Sequence, residues 1–400
     1  MNRYMKFLAR RTSRLEASEI RELLKLTEGK SVISFAGGLP DPSVFMKEAL
    51  SEAARDIIYN VGEKALQYSP TKGVTPFIET LKAFSAKHGI GVKEDDDLIV
   101  TTGAQEAIYL ASKVLFDERD IVVVEEPTYL AALHSMKFFK ARPVGIPIDG
   151  EGMQVNQLEE MLRKGTRIKA VYVNPTAQNP SGTTMSLERR KYLLELASIY
   201  DFLIIEDDPY GYFVFEGESP ATLKSLDGEG RVIYVGTFSK ILAPGLRIGW
   251  ALGPKELINY FELAKQNLNL HTSTLTQYVA MEAVKRGLVE KSIEKARSLY
   301  RTKRDFMLEA LETNMSDLAE WTKPIGGLFI LVSLKEKINT KNMLPRAIAK
   351  GVAYVPGAPF FVSGGGSHTM RLNFSYPTVE QIKEGVRRLS ATVREEMRQA

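Results

Sequence analysis

The sequence predicts an α/β protein: a large domain with a mostly parallel sheet flanked by helices, joined to a smaller α+β domain. Two observations carry this. Apolar runs rich in β-branched residues lie near positions 98, 121, 170, 202 and 232, and helical stretches separate them. Each run leads at once into a turn bearing glycine, proline, acid, amide or lysine, and open α/β sheets bind ligands outside the carboxyl ends of their strands. From about residue 290 a helix, short strands and a last helix describe the smaller domain, with which the N-terminal segment is expected to pack. The expected division is 1–45, 46–289 and 290–400.

The totals narrow the class. With 44% hydrophobic and 26% charged residues, the composition is that of a soluble globular protein. A net charge of +4 over 400 residues gives no reason to invoke nucleic acid. No apolar run is long enough to span a membrane. The absence of cysteine excludes disulfides and thiol chemistry and suits a cytoplasmic protein, and a thermophilic one. The four histidines are scattered without metal-ligand spacing, so no metal is expected. Arg3, Lys6, Arg10, Arg11 and Arg14 superficially resemble a transit peptide. The next stretch, Ser18–Lys25, reads instead as an amphipathic helix with Ile20, Leu23 and Leu24 on one face.

In chain order, Phe35–Pro42 is a loop whose Gly37 and Gly38 permit close backbone approach, or simply make a turn. Ala65–Gly73, with Tyr68, turns into a helix starting near Val74. Asp97–Tyr109 is a strand, a glycine turn and a helix start, so the N–H groups around Gly103, Ala104 and Gln105 can hold an anion. Ile121–Tyr129 and Ala170–Gly182 repeat strand then loop, and Asn179 alone would pass for turn chemistry. Phe202–Tyr210 ends a buried strand in Glu206, Asp207 and Asp208, which either face solvent or meet a ligand.

Val232–Trp250 organises the rest. A lysine at a strand end among apolar residues loses hydration, its pKa falls, and it becomes a nucleophile for carbonyls. Lys240 holds that place, with the hydroxyls of Thr237 and Ser239 beside it and Arg247 offering a fork suited to phosphate. A solvated lysine in a turn is the alternative. Leu252–Arg301 reads as helical with a polar break at Asn267–Thr274. In Gly364–Tyr376, Met370, Leu372, Phe374 and Tyr376 alternate with Arg371, Asn373 and Ser375, a strand with one apolar face and Arg371 on the other.

The run Ser239-Lys240, Gly245, Arg247, Gly249 resembles the cofactor-lysine motif of fold-type I aminotransferases, which use pyridoxal phosphate. The likeness extends from about Ser18 nearly to the C-terminus, and is closest to the 2-aminoadipate, kynurenine and aromatic aminotransferase branch. It implies the PLP-dependent transferase fold of type I and a homodimer. Lys240 would hold pyridoxal phosphate as a Schiff base and then move the substrate proton. Asp207 would keep the pyridine nitrogen protonated, Tyr129 would stack on the ring, and Asn179 and Tyr210 would bond its phenolic oxygen. Gly103, Ala104, Gln105, Thr237, Ser239 and Arg247 would anchor the phosphate, with Tyr68 reaching it across the dimer interface. Arg371 would bind the substrate α-carboxylate, Asn179 and Gly38 would contact the substrate, and Arg21 would lie near its side chain.

The implied activity passes an amino group from 2-aminoadipate, an aromatic amino acid or kynurenine to 2-oxoglutarate by a ping-pong route. No arginine lies between Trp250 and Lys285, which argues against the aspartate-type recognition of a distal carboxylate. Rival readings are a pyridoxal-phosphate lyase or decarboxylase, an alanine–glyoxylate type aminotransferase, and a regulatory protein that senses the cofactor. The last carries a winged helix ahead of the fold, for which the stretch before Gly37 is too short.

Overall fold

The computed structural model describes residues 3–15 and 31–399. Its centre is an eight-stranded sheet. The order is β2 (Asp96–Thr101), β9 (Gly249–Pro254), β8 (Val232–Thr237), β7 (Leu203–Asp207), β6 (Ala170–Val173), β3 (Ile121–Glu126), β4 (Arg142–Asp149) and β5 (Gly152–Met153). From β8 to β4 neighbouring strands are parallel. β9 pairs antiparallel with both β8 and β2, so β2 regains the common direction. The five runs singled out in the sequence thus all point the same way.

Strands β4 and β9 were not legible in the sequence. β9 reads Gly-Trp-Ala-Leu-Gly-Pro, too short and glycine-bounded to give a periodic signal. Its Trp250 ring occupies the space over Gly236 of β8, where an added Cβ would lie 2.3 Å from the indole.

Burial explains the apolar runs. Every residue of β6 and β8 is buried, as a parallel strand covered on both faces requires. Helices Ala104–Leu115, Leu130–Phe138 and Lys255–Asn269 cover one face through Ile108, Leu133 and Phe261. Helices Val155–Arg163 and Leu187–Tyr200 cover the other through Leu158 and Leu193.

A second, antiparallel sheet runs β10 (Ala319–Trp321), β11 (Phe329–Leu334), β14 (Thr369–Asn373), β13 (Val355–Pro356). Helices Leu288–Met315 and Val379–Gln399 share one core through Leu311, Met315 and Leu389. A short parallel pair joins β1 (Ile33–Ser34) to β12 (Val352–Ala353), so the chain's first described strand lies against its last hundred residues.

β14 ends sooner than the alternation suggested. After Asn373 the chain turns: Asn373 Nδ2 donates to Ser375 Oγ at 2.8 Å, and Tyr376 N–H donates to Asn373 Oδ1 at 3.1 Å. That turn leaves Tyr376 exposed, not on an apolar face. β14 is flanked by β11 and β13, so Arg371 sits on an interior strand. The expected helix Ser18–Lys25 lies outside the described residues. Among the described residues no helix is long and apolar enough to cross a membrane.

Candidate active site

Lys240 follows β8, and the loops after β2, β3, β6 and β7 close around it, because parallel strands end together at their carboxyl edge. The cavity between them, about 260 Å³, is lined by Gly38, Ala104, Gln105, Tyr129, Asn174, Asn179, Asp207, Pro209, Tyr210, Thr237, Ser239, Lys240, Pro244, Arg247, Phe329 and Arg371. Twelve of the residues singled out from sequence therefore meet there. Gly103 stands just behind. Its φ of 80° lies in the left-handed region, and a Cβ on it would come within 2.4 Å of Arg247 Nη2. Tyr68 does not line the cavity of its own chain; it is largely exposed, its ring edge-on to His271. Arg21 falls outside the described residues.

The Lys240 ammonium donates to the Gly38 carbonyl at 2.6 Å. Burial, with Arg371 and Arg247 nearby, pulls its pKa down to about 8. Much of the amine is then neutral not far above neutral pH, as a nucleophile or proton carrier needs.

The three acids that close β7, Glu206 and Asp207 at its end and Asp208 just after it, are all buried. Glu206 accepts the N–H groups of Leu223 and Lys224, both at 2.7 Å, and Asp208 accepts that of Gly211 at 2.9 Å; both are structural caps. Asp207 differs. Its Oδ2 accepts the Tyr172 hydroxyl at 2.7 Å, whereas its buried Oδ1 has no protein partner. Burial and the Asp208 charge push its pKa up to about 7, against the opposing Tyr172 bond. A buried carboxylate oxygen left open at a cavity is suited to a protonated nitrogen.

Arg371 is buried, and burial lowers its pKa to about 10, so it stays charged. It donates to Asn179 Oδ1 at 2.8 Å and to the Ala36 carbonyl at 2.7 Å, while Nε is unpartnered. The Phe329 ring supports it from 4.2 Å. At the other end, Arg247 reaches the Thr102 carbonyl at 3.0 Å and Ser239 Oγ at 3.4 Å. With Thr237, Ser239 and the first turn of helix Ala104–Leu115 it forms an anion cradle.

Asn174, Tyr172 and Phe329 carried no assigned role from the sequence. Asn174 Nδ2 donates to the Asp207 carbonyl at 2.6 Å, and its Oδ1 accepts the Asn179 N–H at 2.7 Å. It ties the acid loop to the amide loop. Its place before the proline-rich turn is the one local signal that could have found it.

An amine, an open carboxylate oxygen and an anion cradle in one cavity match an aldehyde, a protonated ring nitrogen and a phosphate. Pyridoxal phosphate combines the three groups, and the residues fit it.

Comparison with known proteins agrees. The family model "Aminotransferase class I and II" matches residues 31–389. The chain is 48% identical to aromatic-amino-acid aminotransferase 1 of Thermococcus litoralis, covering 99% of this chain and 96% of that one. A Pyrococcus horikoshii kynurenine aminotransferase, solved with PMP, kynurenine and product, superposes with a TM-score of 0.96 at 48% identity over 99% of each chain. An alpha-aminoadipate aminotransferase of Thermus thermophilus, solved with N-(5'-phosphopyridoxyl)-L-leucine, gives 0.92 at 37% identity, covering 99% of this chain and all of that one.

Proposed function

Because the chain belongs to the class I and II aminotransferases, enzymes that use pyridoxal phosphate, we propose a specific reaction for it. It transfers the amino group of 2-aminoadipate, an aromatic amino acid or kynurenine to 2-oxoglutarate, in two half-reactions that alternate at one site. The observation that carries this is the convergence of the Lys240 amine, the open Asp207 Oδ1 and the Arg371 fork on one cavity. The relatives named for aromatic amino acids, kynurenine and aminoadipate support the choice of donors.

Bound pyridoxal phosphate supplies the electron sink that lets a bond at the substrate α-carbon break. Lys240 would hold its aldehyde carbon and, with its amine free, would remove and return the proton at the substrate α-carbon. Asp207 Oδ1 would keep the ring nitrogen protonated, while Tyr172 holds the other oxygen. Tyr129 would lie against the ring, and Asn179 and Tyr210 would bond its oxygen; all three line the cavity. Ala104, Gln105, Thr237, Ser239 and Arg247 take the phosphate. Arg371 clasps the substrate α-carboxylate and so orients the bond to be broken, with Gly38 beside the substrate. The exposed Tyr68 suits a homodimer in which it reaches the partner's phosphate; gel filtration tests the assembly. A cysteine-free chain suits the cytoplasm.

The test is the visible spectrum of the purified protein. A Lys240-bound cofactor band should collapse on adding 2-aminoadipate and return with 2-oxoglutarate. Turnover confined to alanine with glyoxylate would defeat the donor assignment. Product formation without consumption of a 2-oxo acid would point to a lyase.

A further inference from the structure

Lys265, on helix Lys255–Asn269, is fully buried, and no step above uses it. Its Nζ donates to both oxygens of Glu106, at 2.8 and 2.9 Å, and to Asn269 Oδ1 at 3.0 Å. Asn269 Nδ2 adds a bond to Glu106 Oε1 at 2.7 Å. Glu106 lies in the first turn of helix Ala104–Leu115, whose first residues Ala104 and Gln105 line the cavity. Its Oε2 accepts the Thr102 N–H, and the Thr102 carbonyl accepts Arg247 Nη2 at 3.0 Å. An unbroken line of contacts therefore runs from Lys265 through Glu106 and the Thr102 peptide to the guanidinium of the anion cradle.

The charge of Glu106 is out of keeping with its place. An acid in the first helical turn favours the helix but repels an anion bound at the same N-terminus. In a water-poor interior that repulsion is weakly screened. A fully buried cation with bonds to both carboxylate oxygens cancels it without giving up the hydrogen bond to Thr102.

We infer that Lys265 is a positioning residue of the anion cradle: it neutralises Glu106 and holds it where it fixes the Thr102 peptide against Arg247. This rests on reading the cradle as the cofactor's phosphate site. It sets Lys265 apart from a merely structural lysine, whose loss would weaken every cofactor form alike.

The experiment compares pyridoxal phosphate with pyridoxal, which lacks the phosphate, by absorbance titration of cofactor-free protein. In Lys265→Met the uncancelled carboxylate should cut the preference for the phosphorylated form about tenfold or more. Adding Glu106→Gln, whose amide oxygen still accepts from Thr102, should restore most of that preference. Glu106→Gln alone should match or exceed the wild-type preference, and it decides the matter if Lys265→Met does not fold. A wild-type preference in Lys265→Met, or a fall in Glu106→Gln, overturns the inference and leaves the cradle standing. A wild-type protein with no preference for pyridoxal phosphate removes the cradle and the role of Lys265 with it.

Discussion

Replacing Asp207 by asparagine should move stability and cofactor affinity in opposite directions. In the cofactor-free protein the Asp207 pKa stands at about 7, against an ordinary 3.8, because burial and Asp208 disfavour its charge. Between those values the folded state binds a proton that the unfolded chain has released. This group's contribution to stability therefore falls as pH rises, and the loss is complete above the folded pKa. From pH 5 to pH 8 that amounts to two pH units at about 1.4 kcal/mol each, or roughly 3 kcal/mol. Asparagine has nothing to titrate, and its carbonyl can still accept the Tyr172 hydroxyl. Glu206, pushed by burial to about 7, is common to both proteins and cancels in the difference; Glu125, at about 8, is raised first by burial and least by the Asp207 charge, so it nearly cancels. The advantage of Asp207→Asn over wild type, measured by urea unfolding without cofactor, should thus grow by about 3 kcal/mol across this range. With cofactor the sign reverses: the amide presents a donor to a ring nitrogen that is itself a donor. Loss of one charge-assisted bond, about 3 kcal/mol, weakens pyridoxal phosphate binding roughly a hundredfold. A pH-independent difference together with unchanged affinity would refute the assignment of Asp207.

Other changes probe the remaining groups. Lys240→Ala should abolish transamination while leaving weak, non-covalent cofactor binding; substantial residual turnover would remove its assigned role. Arg371→Met takes a buried cation from Asn179 Oδ1 and the Ala36 carbonyl as well as from the substrate. It should lower kcat/KM by about two to four orders of magnitude, and steady-state kinetics with one donor measures it. In Gly38→Ala the new Cβ would stand 2.9 Å from Phe329 Cζ, narrowing the cavity beside the substrate. Bulky donors should lose several-fold more kcat/KM than alanine, and a uniform loss would count against a substrate contact.

What could be read in advance follows from where the information lies. Lys240 with Arg247, the acids at the end of β7, and the glycine before helix Ala104–Leu115 each announce themselves within a few residues, because a strand end and its turn are local. Tyr172 does not. A tyrosine in the buried run Ala-Val-Tyr-Val is indistinguishable from core until Asp207 is found thirty-five positions on. Phe329 and Lys265 are silent for the same reason: one belongs to the smaller sheet, the other to a helix whose apolar pattern hides a buried cation. Arg371 was legible as a strand residue turned from the apolar set, but its partner Asn179 lies 192 positions away. The antiparallel β9 escaped because six residues bounded by glycine and proline show no period, although Trp250 needs Gly236 to fit.

The pairing of Ile33–Ser34 with Val352–Ala353 has a consequence for how the protein is made. The first of these segments leaves the ribosome with its partner still untranslated. About 320 residues at roughly 5–20 per second keep it waiting on the order of tens of seconds. The eight-stranded sheet, complete by Pro254, can assemble in that interval, while the segment beside Gly38 stays unpaired. The finished cavity is therefore a late event in biosynthesis, set by the emergence of the C-terminal residues.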